Sequence, residues 1–158
     1  MRNPNRMFTG LLISFVGIGI YFAIPQILKK SSCCIIKNVS NSLPFSYFIG
    51  YRINEPTHGM YVTFEHPESE ILLAKRIAGL SGDLIEIKNQ QVYVNHIPYG
   101  IIQERSPSSR PLTAIQEGKI PYGYVYVYGT HPSSFDSRYA EFGLIPISQL
   151  KEQLWPLF

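Results

Sequence analysis

The protein has 158 residues, enough for one globular domain and a short appendage. Apolar residues make up 45% of the chain and charged residues only 16%, a composition that argues against a disordered or low-complexity protein. Residues 1–30 hold four basic residues and no acid, whereas residues 31–158 hold 10 of the 14 basic residues and all 11 acids. The larger part therefore has no net basic charge, and this argues against a nucleic-acid partner.

An apolar run, FTGLLISFVGIGIYFAIPQIL, extends from Phe8 to Leu28 without a charged residue. About 20 such residues span the core of a bilayer, whereas the apolar part of a cleavable secretory signal has roughly 7–15 residues. No convincing cleavage site follows the run. We therefore expect residues 1–30 to be an uncleaved membrane anchor, with a transmembrane helix at about 8–28, and residues 31–158 to form the domain that it holds. A buried core helix is the alternative, although so small a domain would hardly surround it.

Beyond the anchor, short strands are predicted in preference to helices. Strand-forming residues fill MYVTFE (60–65) and YVYVY (124–128), and in the second segment valines alternate with tyrosines. LIEIK (84–88) and VYVN (92–95) flank a short polar segment and predict a hairpin. Residues 104–118 contain three serines and two prolines without a sustained period, which is typical of a loop.

Two further segments complete the predicted elements. ILLAKRIAGL (71–80) is ambiguous, because its residues favour a helix by propensity, whereas a strand would place Lys75 on one face with Leu73 and Ile77. A short final helix is predicted to begin at Ser148, a candidate N-cap, before LKEQL. The predicted class is mainly β behind one N-terminal transmembrane helix.

Motifs for nucleotide binding, metal binding and histidine-based serine catalysis are absent from the sequence. It has no Walker loop, dinucleotide fingerprint, HExxH or GxSxG motif, and its two cysteines are adjacent, without the second pair that a zinc site requires. The four histidines also lack the spacing of metal ligands: His58, His66, His96 and His131. We therefore expect neither a metal nor an organic cofactor.

A serine-rich segment, NVSNSLPFSYF (38–48), and Lys75 in an apolar segment remain as candidates for chemistry. Serine with lysine is an accepted pair of nucleophile and base. A free lysine has a pKa of about 10.4, so only about 0.04% of it is neutral at pH 7. Burial between Leu73 and Ile77 would lower the pKa of Lys75, because desolvation penalises the charged form. The alternative is an ordinary solvated lysine on a strand.

Two segments resemble sequence boxes of the type I signal peptidases. KRIAGLSGDLIEIKNQQVYVNHIP is similar to the lysine box of that family, roughly KRxxGxPGD, and places Lys75 at the general base. GTHPSSFDSRYAEFGLIP, which begins at Gly129, resembles the later box, GDNxxxSxDSRYxGxVP. The resemblance implies that Ser134 hydrogen-bonds the catalytic lysine. It also implies that Asp136 and Arg138 form an ion pair that braces the site.

Residues 38–48 are similar to the pattern N-x-[TS]-x-S-x-P-x-G-x-Y of the conjugative-transfer, TraF-type branch of this family. In that branch a proline follows the nucleophile by two residues, and Pro44 has this spacing from Ser42. The resemblance therefore implies that Ser42 is the nucleophile. It also implies that Ser40 supplies the side-chain donor of the oxyanion hole, beside the backbone N–H of Ser42.

The resemblance covers about 38–146 and implies a signal-peptidase-like catalytic domain of two antiparallel β-sheets with a groove between them. The implied protein is a membrane-bound serine endopeptidase with a Ser–Lys dyad, which cleaves leader peptides from exported precursors. In the TraF-type branch such a precursor is a pilin or another conjugative-transfer protein. The implied location is a single-pass protein of the bacterial cytoplasmic membrane, with residues 31–158 on the periplasmic side. Two alternatives remain: a general signal peptidase I with many substrates, and a catalytically silent membrane-tethered scaffold of a secretion or conjugation apparatus.

Several positions depart from the family pattern. Ser46 and Phe48 stand where the branch has Gly and Tyr, and Ser81 replaces the proline of the lysine box. Thr130 and His131 replace the Asp and Asn of the later box. None of these departures removes the serine or the lysine of the implied dyad.

Overall fold

The computed structural model of the protein describes residues 33–66 and 71–157. The predicted anchor, with its helix at 8–28, lies outside these residues. Within the two described ranges, no helix has both the length and the apolar composition needed to cross a membrane.

Regular structure in the described ranges consists of eleven strands and one short 3₁₀ helix, Ile147–Gln149. The strands are β1 (Cys34–Lys37), β2 (Tyr47–Arg52), β3 (Tyr61–Glu65), β4 (Leu72–Gly79), β5 (Leu84–Lys88), β6 (Gln91–Val94), β7 (Ile97–Ile101), β8 (Gly118–Lys119), β9 (Tyr124–Tyr128), β10 (Ile145–Pro146) and β11 (Leu150–Pro156). They form a seven-stranded sheet of order β1-β2-β11-β3-β4-β9-β10 and a four-stranded sheet of order β7-β6-β5-β8. All the strand pairs among the described residues are antiparallel, which confirms the mainly-β prediction.

The ambiguous segment 71–80 is a strand, because β4 pairs with β3 on one side and with β9 on the other. Its side chains alternate between two hydrophobic cores, so that Ile77 enters one and Ala78 the other. In β9, likewise, Val125 belongs to the first core, and Tyr126 to the second, which joins the two sheets. These central strands are therefore buried on both faces, and β4 holds its side chains in fixed positions.

Turn geometry agrees with the predicted hairpin. Asn89 and Gln90 join β5 to β6 and have φ angles of 52° and 60°, the left-handed conformation that the favoured two-residue hairpin turn requires. Asn95 and His96 make the next turn with φ angles of 50° and 67°. Apart from two isolated bridges and the start of β8, residues 104–118 form the predicted loop.

The predicted helix from Ser148 is wrong. Only a 3₁₀ turn forms there, and the residues that follow are β11, which pairs with β2 and β3. Leu150 and Leu154 lie on the buried side of this strand. Helix propensity is a weak preference, and here pairing with a strand on each side overrides it.

Candidate active site

Lys75 lies near the middle of β4, paired with Val62 of β3, and only 3% of the residue is exposed. Its Nζ atom is 2.9 Å from the Oγ atom of Ser42 and 2.7 Å from the Oγ atom of Ser134. The two serine Oγ atoms are 3.5 Å apart. Side chains from three distant parts of the chain thus meet here, with two serine hydroxyls beside one buried amine.

Burial changes the protonation of this amine. The pKa of Lys75 is lowered from 10.5 to about 8, chiefly because burial removes water from the charged amine; the Asp136 carboxylate opposes this effect, and the Arg138 charge adds a smaller lowering. With a pKa of about 8, roughly a tenth of the lysine is neutral at pH 7. The site therefore holds an amine that accepts a proton near physiological pH.

Ser42 is half-buried in the loop between β1 and β2. Thr130 holds its backbone, because the N–H and the hydroxyl of Thr130 both donate to the Ser42 carbonyl, at 2.7 and 3.2 Å. The side-chain amide of Asn38 donates to the carbonyls of Leu43 and Phe45, at 3.3 and 3.0 Å, and closes the loop. Leu43 itself is buried in a small cluster with Phe48 and Leu154. Ser42 therefore sits in a loop that is fixed on both sides.

Ser40 lies beside Ser42, but its hydroxyl is engaged with other groups. It donates to the side-chain oxygen of Asn38 at 3.1 Å and accepts from the backbone N–H of Ser42 at 3.4 Å. The two donors implied for an oxyanion hole are thus adjacent, although neither points into open space. Since Ser40 is exposed, rotation of its hydroxyl would release both donors.

A buried ion pair supports the segment that contains Ser134. Nε of Arg138 donates to Oδ1 of Asp136 at 2.8 Å, and Nη2 donates to Oδ2 at 2.9 Å. The same Nη2 donates to the Ser134 carbonyl at 2.8 Å, and Asp136 Oδ2 accepts the N–H of Gly129 at 2.9 Å. Desolvation would lower the pKa of Arg138, but the bonds to Asp136 outweigh it and raise the pKa above its usual value. The pair carries no net charge and fixes both ends of the turn at 129–134.

Thr130, Asn38 and Gly129 contribute to this site in ways that the sequence did not predict. Asn38 opens the TraF-type pattern and Gly129 opens the later box, so the motifs marked both positions without indicating their contacts. Thr130 departs from the family pattern, and nothing in the sequence indicated that it would contact the carbonyl of Ser42.

Two other departures have local partners of their own. The hydroxyl of Ser81 donates to the Tyr124 carbonyl at 3.3 Å and accepts the N–H of Gly123 at 3.0 Å, which ties the β4–β5 turn to β9. Nδ1 of His131 accepts the N–H of Ser133 at 3.2 Å. Ser81 and His131 therefore each support the loop in which they lie.

Gly129 is required by close approach. A Cβ atom at this position would overlap Oγ of Ser134 and would lie 2.7 Å from the Cβ of Ser134 and 3.0 Å from the Ser42 carbonyl oxygen. Any side chain here would displace one of the two serines that contact Lys75.

We predict that Gly129→Ala lowers turnover by about 10²-fold, since misplacement of a catalytic contact by about 1 Å has an effect of that size. Steady-state kinetics on a cleaved peptide measures it, with circular dichroism to check the fold. In the double variant Gly129→Ala/Ser134→Gly the clash with the serine side chain is gone and only the 3.0 Å approach to the Ser42 carbonyl remains, so the alanine should lower the rate of Ser134→Gly by much less than 10²-fold. A double variant much slower than Ser134→Gly would contradict this explanation.

Known proteins share features with this chain. The chain is similar to the crystal structure of a signal peptidase I from Enterococcus faecalis V583, with 24% identity and a TM-score of 0.45 over 65% of this chain and 99% of that one. It is 30% identical over 87 residues to the conjugal transfer protein TraF of Agrobacterium fabrum (strain C58 / ATCC 33970). That match covers 54% of this chain and 48% of the relative, so the chain spans about half the length of this curated relative.

The family comparison extends over most of the chain. The model of the family described as signal peptidase, peptidase S26, matches residues 7–154, a range that contains all the side chains described above. This match confirms the family resemblance that the lysine box and the later box indicated. The chain belongs to the signal peptidase S26 family.

Proposed function

We propose that the protein is a serine endopeptidase that removes leader peptides from exported precursors, with Ser42 as nucleophile and Lys75 as base. The observation that supports this most is the contact of 2.9 Å between the Ser42 hydroxyl and a buried amine whose pKa is lowered to about 8. A scaffold without catalytic activity has no need to bury a lysine at this cost.

The reaction proceeds through an acyl-enzyme. Neutral Lys75 takes the hydroxyl proton of Ser42 while Oγ attacks the scissile carbonyl, and a tetrahedral oxyanion forms. Lys75 then gives the proton to the leaving amine as the peptide bond breaks. A water molecule next attacks the ester carbonyl, Lys75 accepts its proton, and the proton returns to Ser42 as the leader is released.

The other side chains position these groups. Ser134 accepts a hydrogen bond from Lys75 and directs the amine at Ser42. The Asp136–Arg138 pair holds the Ser134 segment in place. The Ser42 N–H and the Ser40 hydroxyl stabilise the oxyanion once the Ser40 hydroxyl turns away from Asn38. Donors aimed at a developing negative charge are among the largest contributions to catalysis.

Activity should rise with pH through about 8 and level off above it. The neutral form of Lys75 is the base, and its fraction grows until the pH exceeds the folded pKa, which is about 8. The pH dependence of kcat/KM on a cleaved peptide measures this value in the free enzyme. A rate that stays flat from pH 5 to 8 would contradict a lysine base.

The proposed substrate is a pilin or another conjugative-transfer precursor, which agrees with the name of the conjugal transfer relative. The proposed location is the periplasmic face of the bacterial cytoplasmic membrane, with residues 1–30 as a single-pass anchor in the lipid bilayer. In this arrangement the site acts on leader peptides after export.

Incubation of the detergent-solubilised protein with candidate precursors, followed by mass spectrometry, tests the proposal. Hydrolysis yields two products whose masses sum to the precursor plus one water. If the cleaved end of a pilin is instead joined to its other end by transpeptidation, the cyclic product is lighter by one water than the linear pilin that hydrolysis yields. Processing of many unrelated precursors would identify a general signal peptidase, and no processing of any precursor would favour the silent scaffold.

A further inference from the structure

Arg76 lines a cleft on the opposite face of β4 from the dyad. Neighbouring side chains of a strand point to opposite faces, so Lys75 contacts Ser42 while Arg76 enters a cleft of about 900 Å³. The whole of β7 forms one wall, and the end of β9 with the loop that follows it forms another. Tyr99 and Tyr128 are among its lining side chains.

The guanidinium of Arg76 is held by neutral groups. Its Nε donates to the Gly59 carbonyl at 3.0 Å, its Nη1 donates to the Tyr128 hydroxyl at 3.4 Å, and its centre lies 5.4 Å from the ring centroid of Tyr61. Among the described residues, no carboxylate forms an ion pair with it. Arg76 is therefore oriented, half-buried and without a countercharge.

The other charges around the cleft already have partners. Arg138 is neutralised by Asp136. The carboxylate of Asp83 accepts hydrogen bonds from His58 at 2.6 Å, from the Leu80 N–H at 2.7 Å and from the Asn95 amide at 2.7 Å. Within the described part of the chain, Arg76 is thus the charged residue of this cleft that has no ion-pair partner.

The cleft is also connected to the nucleophile. Gly129 and Thr130 line it, and the N–H and hydroxyl of Thr130 hold the carbonyl of Ser42. A peptide bound at Ser42 could therefore continue into the cleft. The guanidinium of arginine pairs well with a carboxylate, and a peptide that reaches this cleft from Ser42 supplies carboxylates.

We infer that this cleft binds a carboxylate of the substrate peptide through Arg76. The inference rests on the proposed function, because the ligand is the peptide that the dyad cleaves. The carboxylate lies several residues from the scissile bond, since Arg76 and Lys75 are on opposite faces of β4. It comes either from an Asp or Glu side chain or from the C-terminus of the peptide.

Paired peptides test the inference. One series carries Glu or Gln at successive positions on each side of the cut, and a second series ends in a free acid or an amide. At one position, or at the C-terminus, the wild type should cleave the acid peptide with a kcat/KM about tenfold higher than that for its neutral counterpart at low salt. This preference should weaken as the salt concentration rises. Arg76→Gln should abolish the preference and Arg76→Lys should keep part of it. Arg52→Gln, at an exposed arginine of β2, is the matched control and should keep it all.

A binding measurement separates this inference from the proposed function. Fluorescence anisotropy with the Ser42→Ala protein reports affinity without cleavage. If acid and neutral peptides bind equally at every position, the carboxylate site is overturned even where the wild type cleaves them. If acid peptides bind more tightly through Arg76 but the wild type cleaves none, the carboxylate site stands and the peptidase proposal fails. Thermal unfolding of both Arg76 variants checks that a lost preference does not reflect a lost fold.

Discussion

Lys75→Arg should leave no measurable processing of a precursor peptide. Arginine keeps its proton near neutral pH, so Ser42 loses its base although a positive charge remains at the same place. Lys75→Ala should be equally inactive. The difference in kcat/KM between the wild type and the two variants should be largest at pH 9, where wild-type Lys75 is largely neutral. If Lys75→Arg retains more than a few per cent of wild-type turnover, the assignment of the base is wrong.

Stability measurements distinguish this loss from misfolding. The unfolded chain binds the Lys75 proton with a pKa of 10.5, whereas the folded protein binds it with a pKa of about 8. The free energy of unfolding is therefore lower by about 3 kcal/mol at pH 7 than it would be without this difference, and the deficit disappears as pH rises from 8 to above 10.5. Lys75→Met, neutral and of similar length, should thus be inactive yet have a Tm at pH 7 at least as high as the wild type. Lys88→Arg, at an exposed lysine of β5, should be active and unchanged in Tm.

The three serines of the loop before β2 should separate by the size of their effects. Ser42→Ala removes the covalent step and should leave no detectable turnover. Ser40→Ala removes one oxyanion donor and should reduce kcat by about 10²–10³, or about 2.7–4 kcal/mol. Ser46→Gly is the matched control, because this side chain is exposed and contacts neither Lys75 nor Ser42 in the described structure. It should retain wild-type activity.

A covalent label identifies the nucleophile independently of the kinetics. A penem-type acylating inhibitor should add its mass to the peptide that contains Ser42, and the label should be absent in Ser42→Ala. Ser40→Ala should still be labelled, although more slowly. An active Ser42→Ala together with an inactive Ser40→Ala would shift the nucleophile by two residues and contradict the alignment with the TraF-type pattern.

Local patterns in the sequence were sufficient to predict most of the strands. The alternation in YVYVY and the polar turn at Asn89 are determined by neighbouring residues, so β9 and the hairpin of β5 and β6 could be predicted. The helix expected from Ser148 failed because β11 is determined by pairing with β2 and β3, about 100 residues away, rather than by its own residues.

Some residues of the candidate site could likewise be predicted from the sequence, and others could not. Ser42, Lys75 and Ser134 belong to recognisable motifs and could be named as a group before their distances were known. Thr130 could not, because its two bonds to the Ser42 carbonyl depend on how one loop lies against another. That Arg76 has no ion-pair partner could not be predicted either. The residues that surround its side chain are determined by the fold and not by the Lys75–Arg76 sequence.

Strand β11 has a consequence for how the site is assembled. It lies between β2, which follows the Ser42 loop, and β3, which pairs with the strand of Lys75. The hairpin of β1 and β2 joins the rest of the large sheet through this one strand, so the sheet that carries both this hairpin and Lys75 is continuous only when 150–156 has inserted between β2 and β3. Contacts so distant in sequence form slowly, because the long loops must close first. Until β11 has inserted, the chain should therefore contain both motifs but lack the continuous sheet that supports Ser42 beside Lys75.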